Sequence, residues 1–165
     1  MGDPEFHLSR RSVALVLGLS ASPARAALRP CPAPRVLFVC PAGTVKSAIA
    51  REMLKRGAAA RGLAVQVRSR GVHPEDHLSP GLAARLAAEG IDPRAEPVRS
   101  LRPQDPAAAD IVIAFDEAAQ APGLERARIW DTPSWNGDYD HALPAMVSRT
   151  NALLDELAAR PCPPR

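Results

Sequence analysis

Residues 36–47 run Val36-Leu37-Phe38-Val39-Cys40-Pro41-Ala42-Gly43-Thr44-Val45-Lys46-Ser47. An apolar run ends in a cysteine, crosses a loop of small residues, and places a cation and a hydroxyl in the first turn of the helical pattern Ser47 to Ala60. That order predicts a strand, an anion cradle and a helix. Backbone N–H groups of such a loop, with the positive end of the helix dipole behind them, favour a bound oxyanion and the thiolate form of Cys40. Ser47 is a donor within reach of the sulfur, and Gly43 permits a positive φ in the turn. A thiolate facing a phosphate-sized pocket is a nucleophile for phosphoryl transfer. The competing reading is a small core hydrophobe at a strand end, a common role for free cysteine. The Lys-Ser pair at fixed spacing, and the habit of open α/β sheets to bind ligands at the carboxyl ends of strands, favour a site.

The pattern extends outward from there. Leu63 to Arg68 leans toward alternation and reads as an edge strand beside the first one. Ser79 as N-cap, Pro80 as first helical residue and Gly90 as stop frame a second helix whose Leu82 and Leu86 face the core. Asp92 to Pro106 is rich in proline and arginine and reads as a loop, with a short helical turn near Pro106 to Ala109. Ile111 to Phe115 is a second buried strand and Arg128 to Trp130 a short fourth one. Leu143, Met146, Val147, Leu153, Leu154 and Leu157 recur at helical spacing and mark a long last helix that Pro161 ends. Strands alternating with helices imply a parallel sheet with right-handed crossovers, hence an α/β domain.

The 165 residues suit one domain, placed at 35–160, followed by a tail at 161–165. Residues 1–34 stand apart. Met1 to Phe6 reads as a cloning scar; then come Ser9-Arg10-Arg11, an apolar stretch from Val13 to Leu19, and Ala24-Arg25-Ala26. This is the order of a bacterial export signal, too short to span a membrane, and its twin arginines resemble a Tat signal. Three readings stand: export to the periplasm, a short apolar helix on a cytoplasmic protein, or an artefact of a start codon set too early. A net charge of +3 is too small to argue for nucleic acid. His77 and His141 have no partners at metal-ligand spacing, so neither a metal nor a cofactor is expected.

At these residues the chain resembles the low-molecular-weight protein tyrosine phosphatase family, which includes the thioredoxin-coupled arsenate reductases. The family signature is a cysteine, five residues, then arginine and serine. Here the spacing is kept, but Lys46 stands at the arginine, Ala42 and Gly43 replace the usual glycine and asparagine, and Val45 replaces a frequent second cysteine. The likeness continues through His73-Pro74, Gly90-Ile91-Asp92, Ala109 to Val112 and the last helix. It implies a three-layer α/β sandwich with a four-stranded parallel sheet of order 2-1-3-4. It also implies a phosphate-binding loop of Pro41, Ala42, Gly43, Thr44, Val45 and Lys46, with Cys40 as nucleophile and Ser47 beside it.

The family takes its general acid from an Asp-Pro pair after the fourth strand. The corresponding loop is Trp130-Asp131-Thr132-Pro133-Ser134-Trp135, which has no such pair. Asp131 is the nearest candidate; if the acid position falls on Ser134 instead, Asp138 or Asp140 has to substitute. Asp140 also reads as the N-cap of the last helix. Trp135 and Tyr139 are candidates for an aromatic pocket wall, or merely pack against the loop.

Lysine offers a point charge where arginine offers a planar fork, so oxyanion binding is expected to survive better than turnover, and Lys46→Arg to raise turnover. The expected activity is hydrolysis of phosphate monoesters through a cysteinyl phosphate, with a phosphotyrosine protein as the partner the resemblance implies. The alternative is a weakened or inactive member that binds phosphate, arsenate or a similar oxyanion. Arsenate reduction needs further thiols after the third strand, and Asp116 to Glu125 has none. Cys31 and Cys162 fall at the amino-terminal edge of the expected sheet, opposite Cys40, as a candidate disulfide in an oxidising compartment.

Overall fold

Every residue of β1 (Arg35–Cys40) from Val36 onward is buried. Successive side chains point to opposite faces, so Val36, Phe38 and Cys40 join one apolar cluster while Leu37 and Val39 join another. A strand covered on both faces has no polar side to show, which is why its sequence reads as an unbroken apolar run. β1 pairs in parallel with β2 (Gln66–Gly71) on one side and with β3 (Ile111–Ala114) on the other. β3 in turn pairs with β4 (Arg128–Ile129), giving a four-stranded parallel sheet of order 2-1-3-4. The structure is a computed structural model that describes residues 31–161. The expected export segment lies outside those residues, and so does Cys162 of the expected Cys31–Cys162 pairing.

The first cluster is roofed by helices α1 (Lys46–Ala60), α2 (Pro80–Ala88) and α4 (Tyr139–Ala159). The other face is covered by the turn Asp116–Gln120, by Leu124 and by Leu101 and Ala109 on either side of α3 (Gln104–Ala107). α2 is bounded as its sequence predicts. Ser79 Oγ accepts from Leu82 N at 3.3 Å, and the chain turns out at Gly90, φ +67°, where Ile91 N donates to Leu86 O at 2.9 Å. Phe38, Phe115 and Trp130 pack ring on ring with centroids 5.6 to 6.3 Å apart, and join β1 to the carboxyl ends of β3 and β4.

Two expectations shift. β2 begins three residues later than the alternation suggested, because Leu63 N folds back onto Ala58 O at 2.9 Å to close α1. Its buried side is Val67, Ser69 and Gly71. Ser69 is buried because Arg51 of α1, only 1% exposed, donates to its hydroxyl at 2.7 Å. In α4 the buried stripe runs Met146, Thr150, Leu153, Leu154 and Leu157, and Val147, one residue round the helix, is 40% exposed. No described helix is long and apolar enough to cross a membrane.

Candidate active site

Cys40 ends β1 at the carboxyl edge of the sheet, and its buried sulfur meets two donors. Gly43 N donates to Sγ at 3.1 Å, and the hydroxyl of Ser47, itself fully buried, lies 3.0 Å away. Ser47 Oγ also lies 3.4 Å from the carbonyl of Arg70, a weaker alternative for its single proton. A thiolate at Cys40 would accept from the Ser47 hydroxyl.

The segment after β2 shapes the loop. Val72 N donates to Cys40 O at 3.2 Å, His73 N to Pro41 O at 2.8 Å and Glu75 N to Ala42 O at 3.0 Å. The hydroxyl of Thr44 donates to Glu75 O at 2.8 Å and accepts from His77 N at 3.3 Å. Three consecutive carbonyls are thus spent outward. Among the described residues no acceptor serves the N–H groups of Ala42, Thr44, Val45, Lys46 or Ser47. Unpaired loop amides leading into the first turn of a 15-residue helix are an arrangement able to hold an anion. His73 takes part through its backbone.

Lys46 is the first residue of α1. Its Nζ donates to Asp116 Oδ1 at 2.7 Å and to the carbonyl of Thr132 at 2.8 Å. Asp116 follows the buried end of β3, and sequence reasoning missed it. The available signal was its position, an acid just past a buried strand at the edge where Cys40 ends.

The other expected residues lie as follows. Asp131 has an exposed side chain without a hydrogen-bonding partner among the described residues; its carbonyl accepts from Arg149 at 2.8 Å, and its neighbour Thr132 touches Lys46. Asp138, not Asp140, precedes the first residue of α4, and its carboxylate contacts Nδ1 of His141 at 2.6 Å, a hydrogen bond that raises the pKa of the imidazole. Asp140 lies within the helix because the chain becomes helical at Tyr139, and it pairs with Arg85. Trp135 and Tyr139 are buried against each other edge to face, centroids 5.7 Å apart, with the Arg85 guanidinium 3.7 Å over the tyrosine ring. What Tyr139 shows to solvent opens on a cleft of about 350 Å³ lined by Arg85, Glu89, Asp140 and Leu143, and not on the Cys40 loop. Burial pushes the Tyr139 phenol up in pKa. Among the described residues no group of three or more histidines, cysteines and acids is placed to hold a metal ion.

Residues 35–135 match the family described as low molecular weight phosphotyrosine protein phosphatase. The chain belongs to that family. A comparison with curated proteins found no match. Among solved structures the chain is similar to an arsenate reductase in a phosphate-binding state, at 18% identity and a TM-score of 0.63, covering 75% of this chain and 98% of the other. It is similar to a low molecular weight phosphotyrosine phosphatase from Vibrio cholerae O395, at 21% identity and TM-score 0.61, over 76% and 97% of the two chains. The YwlE arginine phosphatase from Geobacillus stearothermophilus aligns at 21% identity and TM-score 0.60, over 78% and 94%. At these identities the likeness shows the phosphatase-like fold. In this family member the segment Cys40 to Ser47 runs cysteine, five residues, lysine and serine.

Proposed function

We propose that this family member hydrolyses phosphate monoesters, phosphotyrosine among them, through a phosphocysteine at Cys40. The observation that carries the reading is the sulfur held by Gly43 N and Ser47 Oγ at the head of a cradle of unpaired amides. The substrate phosphoryl group sits in the cradle, its oxygens taking the free N–H groups. Cys40 Sγ attacks phosphorus, the S–P bond forms as the P–O bond breaks, and the leaving oxygen takes a proton. Asp131, with an exposed carboxyl that no described partner holds, is the proposed donor. Water then attacks phosphorus, the S–P bond breaks, and inorganic phosphate leaves the Cys40 thiolate behind, its charge taken up by Ser47 and Gly43.

The second reading is an oxyanion-binding member with little turnover. Lys46 favours it, because lysine offers the oxyanion a point charge where the family signature has a planar guanidinium. Arsenate reduction is the weakest of the three, since Asp116 to Glu125 holds no further cysteine. Where the N-terminal segment is native, the proposed compartment is the periplasm, and otherwise the cytoplasm. p-Nitrophenyl phosphate turnover measured beside a phosphate and vanadate titration tests these readings. Turnover lost in Cys40→Ser supports the phosphatase, binding without turnover supports the second reading, and neither one contradicts both.

A further inference from the structure

The ammonium of Lys46 ends between acceptors supplied by two different strand ends. An ammonium carries three N–H donors. Asp116 Oδ1 at 2.7 Å and Thr132 O at 2.8 Å take two of them. The sheet register brings Asp116 there: Val39 pairs with Ala114, and Phe115 N donates to Val39 O at 2.9 Å, so Asp116 leaves β3 beside the point where Cys40 leaves β1. Its φ is +53°, the left-handed region that residues with a Cβ seldom enter and that aspartate tolerates better than most. The Lys46 side chain is 15% exposed and that of Asp116 31%, so the pair is largely shielded and its geometry is not that of a loose surface contact.

We propose that Asp116 is a positioning residue that, with the Thr132 carbonyl, fixes Lys46 so that its third proton serves the oxyanion; this rests on the phosphatase reading above. A free lysine is a point charge on a flexible stem and loses geometric control over a transferring phosphoryl group. Holding two of its protons restores that control without a guanidinium. The carboxylate also balances a cation that the helix dipole disfavours at the start of α1.

The test is a double-mutant cycle on kcat and KM for p-nitrophenyl phosphate. Asp116→Ala lowers kcat about 10- to 100-fold with little change in KM, the scale expected of a misplaced transition-state contact. Asp116→Asn, which keeps an oxygen at the same reach, recovers part of the loss. In a Lys46→Met background, Asp116→Ala costs less than about threefold, since there is no ammonium left to position. An equal loss in that background, or an unchanged kcat in the single variant, overturns the proposal. If the wild type neither hydrolyses the ester nor binds inorganic phosphate, the functional reading fails by itself. The Lys46 ammonium signal in proton–nitrogen correlation spectra then decides the positioning claim. A slowly exchanging signal lost in Asp116→Ala supports it, and equally fast exchange in both proteins overturns it.

Discussion

Gly43 and Gly71 fit together so closely that neither has room for a side chain. A Cβ on Gly43, where φ is +78°, would stand 2.8 Å from Gly71 N, and a Cβ on Gly71 would stand 2.7 Å from Ala42 O and 2.9 Å from Gly43 N. All of these are backbone atoms, which move only if the loop moves. Gly71→Ala is therefore expected to cost about 1 to 3 kcal/mol in stability, the usual scale of overpacking. It also opens the cradle, so phosphate affinity and turnover fall together. Thermal unfolding beside a phosphate titration checks this, and an intact titration in a destabilised protein would separate the loop shape from the site.

Ser47→Ala removes the hydroxyl 3.0 Å from Cys40 Sγ and leaves the Gly43 donor in place. Loss of one donor to a developing anion is worth on the order of 100-fold in kcat. The expected result is a fall of that order with KM little changed, measured on an aryl phosphate. An unchanged kcat would assign the Ser47 proton to the Arg70 carbonyl and remove it from the chemistry.

Lys46→Arg, expected from the signature alone to raise turnover, changes sign once its neighbours are known. A guanidinium placed next to the Asp116 carboxylate pairs with it bidentately, one of the stronger side-chain contacts, and is drawn off the oxyanion. The single variant is thus expected to hydrolyse aryl phosphate no faster than the wild type, and Lys46→Arg with Asp116→Asn faster than the single variant. A rise in the single variant would mean that Asp116 does not compete.

Asp105 ties α3 to β2. It accepts from Arg70 Nε at 2.8 Å and from Arg102 N at 3.0 Å, and its side chain is 9% exposed. Burial by itself would raise its pKa, but the Arg70 hydrogen bond, the Arg102 N–H and the two positive charges outweigh burial and hold the carboxyl below its ordinary value. A depressed folded value means stability that is fully present above the unfolded aspartate pKa, about 3.9, and lost as pH falls through the folded one. Asp105→Asn should therefore cost about 1.5 to 3 kcal/mol at neutral pH, and the difference from wild type should shrink in that acid window. Urea unfolding at several pH values measures it, and a difference that persists undiminished below both values would contradict the ionic account.

Local signals carried much of this architecture. The apolar run of β1 and the Ser79, Pro80 and Gly90 frame of α2 depend on neighbours a few residues away, so they are legible in the chain itself. β2 was misplaced at its start because Leu63 N closes α1 on Ala58 O, and at its end because Ser69 is buried by a bond from Arg51, which burial patterns in a single chain do not display. Asp116 was missed for a related reason: its partner Lys46 lies 70 residues earlier, and the two meet only through the register of β1 with β3. Cys40, Gly43 and Ser47 were readable because their geometry is set within one loop and one helical turn.

The central claim is that Cys40 takes the phosphoryl group, and a rapid quench in alkaline denaturant of the enzyme mixed with a radiolabelled aryl phosphate tests it most directly. The account predicts label on the peptide holding Cys40 that survives alkali and is released by acid, formed during turnover, absent in Cys40→Ser, and discharged by water as inorganic phosphate. Turnover with no label on Cys40, or an active Cys40→Ser protein, would contradict it.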